Sequence, residues 1–265
     1  MTTGAFYGAL VGANNFLVNT GDPLELLSED GWTVDEASGM TIVDGDAVCD
    51  PEIEQGYIEQ VLDEIYWANA PLKMTIVVSS ITQGDLLVNG PDIAITTAGT
   101  YVVYSDGLNI FSINSYNFCD AVIDTLSLKL LNDNQLGPEL VANGDFSSGT
   151  GWSFQGDLNL AITGGKLVAS GPPDEAYAVN TGTFDINSLY KISYEVSDYV
   201  DGTLNGVVGQ TSAGVFDDDP TFDDSSQDEV MDYVTTTNNT HGEIALWFGN
   251  DSDMSIDNFS VRKYT

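Results

Sequence analysis

Polar and apolar residues alternate over short stretches of this chain. Lys191-Ile192-Ser193-Tyr194-Glu195-Val196 alternates, as do Gly242-Glu243-Ile244-Ala245-Leu246-Trp247-Phe248 and Met254-Ser255-Ile256-Asp257-Asn258-Phe259-Ser260-Val261. A period of two sends successive side chains to opposite faces of an extended backbone, so each stretch reads as a strand with one buried face. Twenty-seven glycines, with clusters of Asn, Asp and Ser, supply the turns between strands. One segment, Pro51 to Asn69, has helical spacing instead, with Ile53, Tyr57, Ile58, Val61, Leu62 and Ile65 in register. The pattern as a whole predicts an all-β protein of sandwich type, with about eight strands per domain.

The chain also repeats. Leu17-Val18-Asn19-Thr20-Gly21-Asp22 returns as Leu140-Val141-Ala142-Asn143-Gly144-Asp145, and each copy soon reaches a Gly-Trp pair, Gly31-Trp32 and Gly151-Trp152. From there an offset of 120 residues pairs Ile42 with Ile162, Gly45 with Gly165, Val48 with Val168 and Tyr57 with Tyr177. Ser79 to Leu86 matches Ser197 to Leu204, and Val122 to Lys129 matches Ser255 to Arg262. Because this register equates Gly56 to Val61 with the strand expected at Ala176 to Asn180, the middle of the helix-like segment is assigned to strand. The organisation expected is an N-terminal arm at 1–15, a first domain at 16–132, a polar linker at 133–138 ending in Pro138, and a second domain at 139–265.

Charge narrows the function. Of 265 residues, 41 are Asp or Glu and 6 are Lys or Arg, a formal charge of -35. Binding nucleic acid needs a basic stripe, and anionic membranes need basic clusters; both are excluded as partners. With 18% charged and 42% hydrophobic residues the chain can nevertheless bury a core. No stretch approaches the roughly 18 apolar residues of a membrane span, and Met1 to Phe6 lacks the basic start of a secretory signal. A soluble protein not exported by that route is expected, and the acidity suits a saline habitat. Two cysteines, Cys49 and Cys119, allow either one bridge or two reduced thiols.

Leu140-Val141-Ala142-Asn143-Gly144-Asp145-Phe146, Gly151-Trp152, Leu189-Tyr190-Lys191-Ile192-Ser193 and Ile256-Asp257-Asn258-Phe259-Ser260-Val261 together resemble carbohydrate-binding modules of the family 4, 9 and 22 type. The resemblance implies galactose-binding-like β-jelly rolls, here two tandem β-sandwich jelly-roll domains behind a short arm. The first copy departs from the pattern: Pro23 replaces Phe146, and Thr125 replaces Asn258. The resemblance further implies a structural Ca2+ where the first strand meets the last. Asp257 with Asp145 or Asn143 would supply oxygens in the second domain, and Asp124 with Asp22 in the first. The alternative for these side chains is turn capping.

Trp32 and Trp152 recur and read as core. Trp247 alternates away from Ile244, Leu246 and Phe248, to the face shared with Glu243. With Tyr177 and Tyr199 as neighbours, it would stack on a sugar ring or form a protein interface. The acidic run Asp217 to Glu229 lacks the ligand order of an EF-hand and reads as a solvated loop. The one histidine, His241, has no second histidine or cysteine beside it in sequence, and no nucleophile elbow, phosphate loop or dinucleotide fingerprint occurs. A non-enzymatic protein is expected.

Paired modules opening with Leu-Val-x-Asn-Gly-Asp-Phe also resemble those of phage structural proteins. That likeness implies an accessory virion protein, a capsid decoration or tail-associated subunit, oligomeric within an assembly of other virion proteins. Phe6, Tyr7, Leu10 and Val11 in the uncharged arm would provide attachment. The alternatives are a glycan-binding adhesion protein that recognises a host surface polysaccharide and a secreted carbohydrate-binding protein unrelated to phage.

Overall fold

The computed structural model describes residues 26–27, 32–34, 39–44, 46–63, 70–89, 93–156, 159–171, 176–185, 187–209, 227–235 and 242–265, with backbone alone over 205–209, 227–235 and 242. The chain divides into two compact units, Met1–Leu131 and Asn132–Thr265. Among the described residues no helix is long and apolar enough to cross a membrane.

The first unit contains β1 (Thr33–Val34), β2 (Met40–Val43), β3 (Asp46–Cys49), β4 (Gly56–Val61), β5 (Leu72–Val88), β6 (Ile93–Ile95), β7 (Gly99–Ser105) and β8 (Ile110–Leu130). The 17-residue β5 and 21-residue β8 pair antiparallel from Leu72↔Leu130 to Val88↔Ile113, through several register shifts. Each strand serves two layers. The second half of β5 and first half of β8 join β6, β4 and β1, whereas the other halves join β7, β3 and β2. Met40, Ile58, Met74, Ile76, Leu86, Phe111 and Leu126, all fully buried, fill the space between the layers.

The second unit contains β9 (Leu136–Glu139), β10 (Trp152–Gly156), β11 (Leu160–Thr163), β12 (Lys166–Ser170), β13 (Ala176–Phe184), β14 (Leu189–Asp201), β15 (Leu204–Gly209), β16 (Gln227–Thr235), β17 (Gly242–Phe248) and β18 (Asp253–Tyr264). Here the two long strands are each interrupted, so the layers separate into a sheet β10-β13-β17-β15 and a sheet β11-β12-β18-β14-β16, with β9 also on β18. Phe146, Tyr190, Tyr194, Phe248, Ile256 and Val261 lie in the core between them. Both units are antiparallel β-sandwiches of one strand order, and the repeat accounts for this. Val78 pairs with Ile123 in the first unit as Val196 pairs with Ile256 in the second.

The structure bears on three sequence expectations, the first of which holds. The helix-like segment is strand at Gly56–Val61, where burial alternates and Tyr57 faces Asn114. Residues 133–138, expected as a linker, are instead folded into the second unit. Asn132 caps a 3-10 turn over Asp133–Gln135, its side chain accepting from Asn134 N at 3.0 Å, and β9 then pairs with β18. The start of the first unit also bears on the repeat register. Leu26 N donates to Leu128 O at 2.7 Å, the bond that Leu140 N makes to Val261 O at 3.0 Å in the second unit. Leu26 therefore makes in the first unit the bond that Leu140 makes in the second. Leu17 to Asp22 and the arm residues Phe6, Tyr7, Leu10 and Val11 lie outside the described residues.

Where the long strands pass from one layer to the other, their backbones nearly touch. Gly84 has φ +71°, and a Cβ on it would lie 2.5 Å from Tyr116 O and 2.6 Å from Cys119 Cα. Gly202, its repeat partner, has φ +81° and a Cβ there would collide with Ser252 Cα. A left-handed backbone and a missing side chain are both required, so only glycine fits. Gly84→Ala and Gly202→Ala are each expected to destabilise their own unit by about 3 kcal/mol, from left-handed strain plus overpacking. Hydrogen-exchange mass spectrometry on the full chain checks this: protection should fall in the mutated unit and persist in the other.

Candidate functional site

The residues proposed for calcium lie in a turn that ties the first segment of the second unit to its last strand. Phe259 N donates to Gly144 O at 2.9 Å, and a Cβ on Gly144 would strike Phe259 O. Asn143 and Phe146 adopt positive φ, 58° and 47°, so the turn coils tightly. That coil drives Phe146 into the core against Trp152 at 5.0 Å, while Trp152 Nε1 donates to Asn143 O at 3.0 Å. The Glu139 carboxylate closes the junction by accepting from Val141 N, Val261 N and the Ser260 hydroxyl at 3.0, 2.9 and 2.5 Å. Buried Asn180 braces it from β13, accepting from Ala142 N and Gly182 N at 3.0 Å and donating to Ala142 O at 2.9 Å.

Within this turn, Asp145 Oδ1 accepts from Ser147 N at 3.2 Å, and the Ser147 hydroxyl donates to Asn143 Oδ1 at 2.8 Å. Asp257 Oδ1 accepts from Asn258 N at 2.7 Å, and Asn258 Nδ2 donates to Glu195 Oε1 at 2.7 Å. Asn143 and Asp145 thus come together through Ser147, and Asp257 lies two residues before the point where the turn meets β18. All three make the bonds of turn-capping side chains. Among the described residues, no three His, Cys, Asp or Glu gather closely enough to hold a metal ion. Asp124 of the first unit is exposed, and Asp22 lies outside the described residues.

A different surface lies on the outer face of the four-stranded sheet. Strand register sets Gln155, Tyr177, Trp247 and Gly206 in one row across β10, β13, β17 and β15. Tyr177 and Trp247 stack with centroids 6.0 Å apart and planes 12° from parallel. Val179 and Ala245, the next pair along, are buried beside them in a small apolar cluster separate from the main core. Glu243 sits further along the same face, exposed and opposite Thr183. The Trp247 indole nitrogen is buried and finds no acceptor among the described residues. Gly206 brings no side chain to the row.

Of the four residues expected around a sugar or interface site, the structure joins Tyr177 and Trp247 and puts Glu243 on their face. Tyr199 belongs elsewhere: it lies on β14 of the other sheet, packs against the core, and its hydroxyl donates to Gly202 O at 3.0 Å. The strand turns at its end, where Asp198 has φ 55°. Gln155 and Ser153 were not foreseen, because their place beside the aromatics depends on cross-strand register. In the first unit the corresponding row reads Tyr57, Asn114, Leu87 and Ala94, so Asn114 stands where Trp247 stands. Trp32 is buried and meets Phe111 edge-on at 6.1 Å, a core residue as expected. His241 and Asp217 to Ser226 lie outside the described residues.

No protein-family model and no curated protein matches the chain. Among solved structures it is similar to the N-terminal CBM22-1-CBM22-2 tandem domain of Paenibacillus barcinonensis Xyn10C, at 10% identity and a TM-score of 0.35, over 91% of this chain and 98% of that one. It is also similar to AerE from Microcystis aeruginosa, at 9% identity and a TM-score of 0.18, over 91% of this chain and 99% of that one. At these scores any functional reading rests on the geometry of the chain itself.

Two outcomes test the turn. Asn180→Ala leaves the Ala142 N–H and C=O without their partner and should cost about 1–3 kcal/mol, read from urea unfolding of the second unit. If Asn143, Asp145 and Asp257 act as turn caps, melting is the same in calcium and in chelator. A rise with calcium that Asp257→Ala removes would instead assign them to an ion, by preferential binding to the folded state.

Proposed function

We propose that this chain is a non-catalytic binding protein whose second unit takes a neutral glycan on the face of Tyr177 and Trp247. The observation that carries the reading is the near-parallel aromatic pair on the sheet face turned away from the core. The half-buried aromatic pair offers apolar ring surface for the C–H face of a pyranose. Gln155, Ser153 and Glu243 provide exposed polar groups on the same face for the ring hydroxyls. A formal charge of -35 repels uronate and sulfate groups, which favours an uncharged sugar.

The virion role, as capsid decoration or tail-associated protein, is the setting we propose for this activity. Its support is the sequence likeness to phage structural modules and the arm at 1–15. A module carried on a virion would take the host's surface polysaccharide as its ligand. Affinity electrophoresis through gels of neutral polysaccharides tests the binding. Tyr177→Ala and Trp247→Ala should each weaken retention about tenfold, the equivalent of roughly 1.4 kcal/mol of lost stacking. Tyr57→Ala in the first unit should leave it unchanged. A wild-type chain that binds no glycan but loses self-association or a protein partner on Trp247→Ala would make the face a protein interface instead.

A further inference from the structure

Cys49 ends β3 and Cys119 follows the bend of β8, where Asn117 and Phe118 have φ 60° and 56°. Both are free and buried, at 2% and 1% exposure. Pairing of Ala47 with Ile123 and Val48 with Val122 sets the two cysteines on the same inward face as diagonal neighbours across the strands. Interaction between the two thiols lowers the pKa of Cys119 and, with burial, raises that of Cys49. The second unit provides an internal comparison. Its residues at the matching positions are Ala169 and Ser252, and the Ser252 hydroxyl lies 2.6 Å from both Thr203 O and Gly249 O. Hydroxyl contacts thus pin the strand crossing beneath Gly202, whereas beneath Gly84 the close neighbour is the backbone of Cys119, whose side chain is a thiol. The fold at this position does not require cysteine.

We propose that Cys49 and Cys119 are a redox pair that closes into an intrachain disulfide under oxidising conditions, stapling β3 to the crossing of β5 and β8. Exchange with a low-molecular-weight disulfide such as oxidised glutathione supplies the oxidant. The Cys119 thiolate attacks one sulfur of glutathione disulfide, forming a mixed disulfide and releasing one glutathione thiolate. The Cys49 thiolate then attacks the Cys119 sulfur, forming the protein bridge and releasing the second. Two cysteines are oxidised, one glutathione disulfide is reduced to two thiols, and the two cysteine protons pass to them. Because both sulfurs are buried, exchange runs as the chain folds or through local opening of β3.

The experiment is refolding of the full chain in reduced and in oxidised glutathione, followed by alkylation in denaturant and intact mass measurement. The expected product is a monomer lighter by two hydrogens with no alkylatable thiol. Constraint of the roughly 70-residue loop should raise melting of the first unit by about 10 °C over the reduced form. Cys49→Ala and Cys119→Ser reproduce the second unit's residues, so both should fold and neither should respond to oxidant. Two free thiols after oxidation, stable glutathione adducts, a linked dimer, or a bridged monomer that melts below the reduced chain would each overturn the proposal.

Discussion

A strand long enough to serve both layers of a sandwich must bend, and where two such strands bend together their backbones come too close for a side chain. Gly84 against Tyr116 and Cys119, and Gly202 against Ser252, are that contact in the two units. Everything else hangs from it. β5 with β8, and the interrupted β14–β15 with β17–β18, supply the central pairs to which every other strand is added. With the crossing fixed, alternation along each half-strand decides which side chains enter the core. The first unit keeps its long strands unbroken through register shifts, while the second opens them at Gly202 and between Phe248 and Asp253.

The residues that made the chain look like a carbohydrate-binding module prove to be those that close the sandwich. Gly144 admits the Phe259 carbonyl, Phe146 and Trp152 pack together, and Asn180 and Glu139 satisfy the backbone groups that the turn exposes. Such buried polar groups are costly when left unpaired, which is reason enough for the motif to recur as a unit. The paired aromatics Tyr177 and Trp247 lie elsewhere, on the outer face of the four-stranded sheet. Here the two units diverge, because Asn114 replaces Trp247 while Tyr57 and Tyr177 persist. At this row of described positions the second unit thus pairs two aromatics where the first pairs Tyr57 with Asn114.

Much of this was legible in one dimension. The two-residue period determined the strands, the repeat determined that there are two sandwiches of one strand order, and alternation around Ile244, Leu246 and Phe248 turned Trp247 outward. These hold because side-chain direction in a strand is local, as is the demand of a tight turn for glycine. Tertiary structure alone decided the rest. That Tyr177 faces Trp247, that Gln155 joins their row while Tyr199 does not, that Leu26 makes the bond that Leu140 makes in the second unit, and that residues 133–138 are folded all depend on hydrogen bonds between segments remote in sequence. The interaction between Cys49 and Cys119 is likewise one between remote segments. Register between strands is fixed by the pairing itself and by bulges such as the one between Val179 and Thr183, and no local pattern encodes which residue lies across the ladder.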